Sequence, residues 1–552
     1  MLGIAGLLLA VFSRCPDALL RARFWAEDGT VFYRDAHELG FLRSVFLPYS
    51  GYLHIFPRLI AGLSLSLPLV LVPLLFSITS LAVQCLPAVY LCTPRMRNIG
   101  PLRLRAMLAF LVVGNSMVTE VWSNLTNVQW NLALLSLLVL LSSAPQSRAG
   151  AGLDRIALSV AAVTGPFSIF LLPIAGLLAF LRRGTRSMAH LAILAFGALV
   201  QSSFLLRQGR PEFARQLGAS FPLLCKLLVR GLLPIRLAEI LRLPVSSWVF
   251  CCGLLLGALA LVVWIFGKAG PEMRYSLLFT AIVLAASLAS PLAASGGEQW
   301  PAMLNGASKR YWMIPTLMVS VASLWLAVQP FSTWLRLLGK AAMLVVLVAC
   351  IAHWRLPYPQ GVHFGTYVHV FNGLPVGQEL TIPIDPPGWK LVLTRKTFDR
   401  MWFPTRPTEP GLIPRSDWMK DFVGTSPVES SDPLNGAVFR VNGRATAGLG
   451  GAMNPVHVSI SRGALLQGCA VLSEHDQLSP MDQIYAIVSD QVATGDHLPF
   501  GCAYFGKSIA QATYLVFLPS TVLHPGLQEI RIVGYSRWES KLYWQPVYVY
   551  GE

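Results

Sequence analysis

Glu27 and Asp28 stand side by side between aromatic residues in the stretch 24–58, FWAEDGTVFYRDAHELGFLRSVFLPYSGYLHIFPR. Two adjacent carboxylates just outside a first apolar run can exchange protons at a bilayer surface. His54 and Arg58, at the entrance to the next run, add a titratable ring and a cation suited to a phosphate. A second island, 120–130, sets Glu120, Asn124, Asn127, Gln129 and Trp130 between two apolar runs. A third, Lys309, Arg310 and Tyr311, directly precedes another. Polar groups at membrane depth are costly, so they mark pathways and sites. Together the islands offer carboxylates for acid–base work, amides for hydroxyl recognition and cations for a phosphate. Each also has a plainer role. An acidic pair commonly caps a helix, Glu120 suits an interhelical hydrogen bond, and Lys309 with Arg310 suits headgroup anchoring. Trp25, Trp122, Trp130 and Trp300 fit an aromatic belt.

The elements that must position these groups are membrane elements. Of 552 residues, 54% are hydrophobic and only 13% charged, against about 25% charged in an ordinary soluble domain. The net charge of +16 comes mainly from basic residues in short loops between apolar runs, where they act as topology signals. No basic tract interleaved with aromatics is present, which excludes nucleic-acid binding. The nine cysteines show neither CxxC pairs nor Cys/His clusters at metal spacing, so no structural zinc site is expected. Cys469 and Cys502, alone in the polar tail, can form one disulfide if that tail lies outside the cytoplasm. No cofactor is certain from the sequence, which leaves a divalent cation open without indicating one.

Hydropathy and the positive-inside rule lay out about eleven transmembrane helices. A short first run at 2–13 is followed by runs at 67–91, 107–118, 130–141, 156–164, 167–181, 189–206, 245–266, 275–292, 312–328 and 341–354. Arg95, Arg97, Arg103 and Arg105 place the 92–106 loop in the cytoplasm, so the acidic stretch faces outward. Seven basic residues in 207–243, assigned to the outside, suit an amphipathic interfacial helix against lipid headgroups. Several runs are short, as expected of helices broken around a buried polar cavity. From about residue 357 the pattern changes to short alternating segments punctuated by Gly, Pro, Asn and Asp. That is the signature of an all-β sandwich, jelly-roll or immunoglobulin-like. The expected organisation is thus a transmembrane catalytic domain, 1–356, and a soluble β domain, 357–552.

In the membrane half, WAEDGTVFYRDA, GYLHIFPR, the E-x-x-x-N-x-x-N-x-x-W pattern at 120–130, TGPFSIF and the late KRY occur in an order and sidedness that resemble the GT-C superfamily of polytopic glycosyltransferases. The resemblance covers residue 1 to about 354 and is closest to bacterial envelope members. It implies a polyprenyl-phosphate-linked sugar donor and an essential acid in the first outer loop, here Asp28 or Glu27. The chemistry of the islands themselves then sets His54, Arg58, Lys309 and Arg310 at the donor phosphate, and Glu120, Asn124, Asn127, Gln129, Trp130 and Tyr311 at sugar or acceptor. The tail resembles the carbohydrate-binding sandwiches of some relatives, such as the mycobacterial arabinosyltransferases. This chain is much shorter, with fewer spans, so the sugar does not carry over; enzymes that decorate O-antigen or pilin are a nearer parallel. The expected function is transfer of a monosaccharide to an envelope glycan or glycoprotein at the periplasmic face of a bacterial inner membrane. Nucleotide sugars are absent there, so the donor must be lipid-carried. Two rivals are a multipass transporter or flippase of a lipid-linked saccharide and a non-catalytic glycan-binding receptor. Against the first, no repeated halves are found; against the second, eleven crossings are excessive for anchoring.

Overall fold

The apolar runs form helices close to where hydropathy places them. The computed structural model describes residues 2–208, 216–232, 244–291, 298–306, 308–358, 364–373 and 376–396, and beyond 396 the strands alone. Among the described residues, six helical stretches are long and apolar enough to cross a membrane: Leu69–Cys92, Thr185–Arg207, Trp248–Lys268, Pro271–Ala289, Lys309–Val328 and Thr333–Ala352. The chain is therefore a mostly helical protein of membrane-embedded character. The count differs from the expected eleven for a physical reason. The remaining runs become shorter helices, among them Leu2–Arg14, Leu102–Gly114, Val128–Leu141 and Phe167–Arg182. At 1.5 Å per residue, fourteen residues reach only roughly 21 Å, short of the roughly 30 Å of a hydrocarbon core. In the 207–243 segment the structure describes the helix Phe221–Leu232, whose Cys225 and Val229 are buried with Cys251 in a packed cluster.

The chain divides into two units, each taken by itself below. The first comprises residues 1–22, 41–63 and 74–358; the second comprises 23–40, 64–73 and 359–552. The acidic stretch thus falls in the same unit as the C-terminal segment, not with the helical bundle.

Within the first unit we number the helices α1 (Leu2–Arg14), α2 (Ile55–Ser64), α3 (Val72–Cys92), α4 (Leu102–Gly114), α5 (Val128–Leu141), α6 (Arg148–Ala162), α7 (Phe167–Arg182), α8 (Thr185–Gln208), α9 (Phe221–Leu232), α10 (Trp248–Lys268), α11 (Pro271–Ala289), α12 (Met313–Val328) and α13 (Thr333–Ala352). Helix α5 is the axis of the bundle: all fourteen of its residues are buried. A helix apolar all round must be enclosed on every side, and Leu135, Leu137, Leu140 and Leu141 pack with Leu171, Ile174 and Leu178 of α7. Enclosure leaves its last carbonyls without water, and a ring of side chains serves them. Arg182 donates to Leu140 O (2.8 Å), Asn98 to Leu141 O (3.1 Å), and Arg186 to Val139 O (3.0 Å) and Ser142 O (2.9 Å). Positive charge at a helix C-terminus also complements its dipole. Asp154, buried, balances the cluster through two 2.7 Å bonds from Arg95 and a 3.4 Å contact with Arg186.

A second cap of this kind gathers three helix ends. Arg14, at the end of α1, is fully buried. Its guanidinium donates to Val113 O, to Asn115 O (3.1 Å from each Nη), to His353 O (3.2 Å) and to Trp354 O (3.1 Å). These carbonyls close α4 and α13. The rings of Trp122 and Trp354 lie 4.9 and 5.4 Å from the guanidinium carbon.

In the second unit, an antiparallel hairpin pairs β1 (Glu379–Ile384) with β2 (Trp389–Thr394), Ile384 opposite Trp389. Leu380, Ile382, Ile384, Leu391 and Leu393 are buried, as alternation over a half-buried sheet requires. Beyond residue 396 the longest described pairing is antiparallel, Gly526–Ser536 with Lys541–Gly551. Cys502 and the Cys469 side chain lie outside the described residues, and so does the expected disulfide.

Candidate functional site

The acidic motif sits in the second unit on a short, unusual piece of helix. Asp28 is buried, 1% exposed, and opens a π-helical segment, Asp28–Tyr33; Glu27, one residue earlier, is half-buried. The π-helix is rare and recurs at functional sites. Just before the pair, Ala26 holds φ = 31°, a left-handed conformation without glycine. Such residues cost about 1–3 kcal/mol and persist only where surrounding structure fixes them. The turn is closed by the Asp28 amide donating to Trp25 O at 2.7 Å. Gly29 is required next: a Cβ there would meet Ile384 Cδ1 at 2.9 Å and Phe24 Cβ at 3.0 Å.

Around the same turn lies a buried carboxylate that no sequence signal singles out. Asp385, 3% exposed, pairs with Arg23 at 3.1 Å, both side chains almost fully enclosed. Burial pushes its carboxyl up to about 6, with the Arg23 guanidinium pulling the other way. Further along, the segment ends in the helix Arg34–Leu39, where Glu38 accepts from the Thr394 amide (3.1 Å) and from Lys396 (3.0 Å). Burial raises the Glu38 carboxyl, but the Thr394 amide, Lys396 and His37 outweigh it and hold it below its usual value.

The other predicted residues belong to the first unit, where the structure links them in a chain at the N-terminal end of α5. His54 forms a β-bridge with Thr164, Gly165 N–H donates to Leu53 O (2.9 Å), and Phe56 N–H donates to Thr164 Oγ1 (3.2 Å). The TGPFSIF turn is thereby sewn to GYLHIFPR. Gly165, at φ = 84°, faces Gln129: a Cβ there would collide with Gln129 Oε1. Trp130 packs edge-on against Phe167 (4.8 Å) and Tyr311 (5.8 Å). Arg310 lies 5.0 Å from the Tyr311 ring centroid and donates to Glu120 Oε2 at 3.2 Å. Three polar stretches thus meet through His54, Gln129, Trp130, Tyr311, Arg310 and Glu120. Arg58, 1% exposed, lies one turn beyond His54 in α2, and Lys309 is exposed.

Asn124 and Asn127 are tied into their own loop. Both are buried, and their amides are spent on the loop itself: Asn124 Nδ2 and Asn127 Nδ2 each donate to Glu120 O (2.7 and 2.8 Å), and Asn124 Oδ1 accepts from the Asn127 amide (3.0 Å). Both amides thereby hold the main chain at Glu120. Ser50, Ser123 and Ser308, like Ala26, are non-glycine residues at positive φ, 50°, 56° and 58°. Four of the five such residues described therefore abut the polar islands.

Among the described residues, no three His, Cys, Asp or Glu side chains gather as metal ligands. A cavity of about 290 Å³ opens in the first unit among Leu134, Leu138, Phe279, Leu317 and Leu324, with Asn98 and Glu272 on its wall. Its lining is mainly apolar, with Ser276, Thr280 and Gln329 also on it, and it lies beside the C-terminal half of α5, away from the polar chain. No family of known proteins, no curated protein and no solved structure matches this chain.

Proposed function

We propose that this protein is a membrane glycosyltransferase that uses a polyprenyl-phosphate-linked sugar and acts at the periplasmic face of a bacterial inner membrane. The observation that carries the reading is the acid turn: a buried Asp28 with Glu27 beside it, on a π-helix behind a strained Ala26, in a chain whose described residues include six helices long and apolar enough to cross a membrane. In this reading one carboxylate, Asp28 or Glu27, takes the proton of the acceptor hydroxyl as its oxygen forms a bond to the anomeric carbon. The bond from that carbon to the lipid phosphate breaks on the opposite side, so configuration inverts. Polyprenyl phosphate departs with the bonding pair as an anion and needs no proton, only positive charge. Arg58, His54, Lys309 and Arg310 are the groups we assign to phosphate. Because Arg310 is bound to Glu120, a phosphate must compete with that carboxylate, which makes the pair an exchangeable latch. Gln129, Trp130 and Tyr311 are assigned to sugar or acceptor. For 397–552 we propose a β-sandwich of jelly-roll character that binds the acceptor glycan, supported by the alternating sequence and the strand pairings beyond residue 396. The residues that precede it, 379–396, serve the acid turn instead.

The test is transfer from radiolabelled polyprenyl-phosphate sugars by the purified full chain. Asp28→Asn is expected to lower turnover by about 10²–10⁴, with donor binding retained, and Glu27→Gln to lower it less. Near wild-type turnover in both single variants and the double variant overturns the base assignment. Vesicle translocation of a lipid-linked saccharide without product would instead make the protein a transporter.

A further inference from the structure

Within the second unit, four consecutive residues ahead of the acid pair are tied to one residue of the β1–β2 turn. Asp385 N–H donates to Phe24 O at 3.1 Å, and Ala26 N–H donates to Asp385 O. Trp25 and Asp385 form a parallel β-bridge. The Asp385 carboxylate pairs with Arg23, so main chain and side chain of a single residue fix 23–26. Glu27 and Asp28 follow directly.

These ties account for the strain beside them. A left-handed Ala26 is held only if its neighbours on both sides are fixed, and the two hydrogen bonds to Asp385 flank Trp25 and end on Ala26. Ile384, the residue before Asp385, packs where Gly29 lacks a side chain, so the same turn also sets the first step of the π-helix. At the far end, Lys396 donates to His37 O (2.9 Å) and Glu38 O (2.7 Å), capping the helix Arg34–Leu39 from two residues past the end of β2. The 23–39 segment is held at both ends by the one hairpin.

We infer that Asp385, with Arg23, is a positioning residue that sets the direction of the Glu27–Asp28 carboxylates. The inference rests on the functional reading above, in which those carboxylates meet the acceptor hydroxyl. Asp385 itself touches no reacting atom. Its carboxyl group pairs with Arg23, and its main chain locks the turn, so that the acid starts each reaction already aimed. Misplacement of a reacting group by about 1 Å costs on the order of 10²-fold in rate, which sets the size of the effect.

The experiment compares Asp385→Asn, Asp385→Glu, Arg23→Gln and Asp28→Asn in the full-length purified protein, by hydrogen exchange and by transfer from a polyprenyl-phosphate sugar. Asp385→Asn keeps the main-chain ties and the shape of the side chain but loses the charge. It is expected to speed exchange of the 26–33 amides while leaving α5 unchanged, and to lower turnover about 10²-fold with KM for the donor unchanged. Asp385→Glu should recover part of the turnover, and Arg23→Gln should match Asp385→Asn, which keeps the inference testable if either variant folds poorly. Unchanged exchange at 26–33 in Asp385→Asn and Arg23→Gln overturns it. So does full turnover in Asp385→Asn beside a dead Asp28→Asn, which leaves the functional reading standing. Full turnover in Asp28→Asn removes the functional reading and this inference together.

Discussion

Replacing Arg14 by methionine tests the claim that one buried guanidinium closes three helices. The substitution keeps a long side chain between Trp122 and Trp354 but removes every donor to the carbonyls of Val113, Asn115, His353 and Trp354. A buried acceptor left without a partner costs about 1–3 kcal/mol, and a lost cation–π contact about 0.5–2 kcal/mol. Neighbouring losses do not add, since the helix ends relax together. Breaking a buried charged cluster by removing one member is a better guide, at about 3–5 kcal/mol. Domains of roughly 150–250 residues lose about 2–4 °C in Tm per kcal/mol, so a fall on the order of 10 °C is expected. Arg14→Lys should lose less, because an ammonium keeps the charge and some of the donors but not the planar fork. The assay is the temperature at which detergent-solubilised protein loses its monodisperse peak. A fall of under about 2 °C for Arg14→Met would refute the reasoning, and so would a lysine variant as damaged as the methionine one.

Gly165→Ala should be strongly destabilising, by about 1–3 kcal/mol from backbone strain alone, because its Cβ also meets Gln129 Oε1; thermal unfolding checks it. Arg310→Ala should weaken donor use, with Arg310→Lys recovering part of it, while Glu120→Gln should strengthen donor binding by releasing Arg310 from its carboxylate; donor KM and Kd report both. For Asp385 the sign follows from a folded carboxyl near 6 against an ordinary 3.8. A raised acid favours the folded state most when protonated, so that contribution is full below 3.8 and fades as pH rises through 6. The total is about 3 kcal/mol, and Asp385→Asn should flatten this dependence in thermal unfolding measured from pH 4 to 7.

Much of the helical layout was legible because hydropathy is a local property. The helices at 130–141, 167–181, 245–266 and 312–328 appear within a few residues of their expected bounds. Their number as full crossings was not, because hydropathy marks an apolar run without its helix length: α5, at fourteen residues, is not among the six long enough to cross among the described residues. The three polar islands were legible as clusters of costly groups, and the links from His54 through Gln129 and Trp130 to Arg310 show which of them meet. The hydrogen bonds by which Asn124 and Asn127 hold their own loop were hidden, because an amide carries the same donors whatever its partner. Asp385 was hidden for a topological reason. It stands in a turn signal, IDPPG, far along the chain from Trp25, and neither hydropathy nor periodicity reports which distant main chain a turn will pair with.

That long-range pairing has a consequence for how the molecule is made. Trp25 leaves the ribosome about 360 residues before Asp385, a delay of roughly 20–70 s at 5–20 residues per second. Arg14 waits nearly as long for His353 and Trp354. For that interval the nascent chain carries its two carboxylates on a loop with nothing to hold Ala26 in its strained form. The acid turn is a late product of biogenesis. A chain stopped between Ala352 and Asp385 would carry its apolar helices and its two acids, yet would lack the residue that ties 23–26.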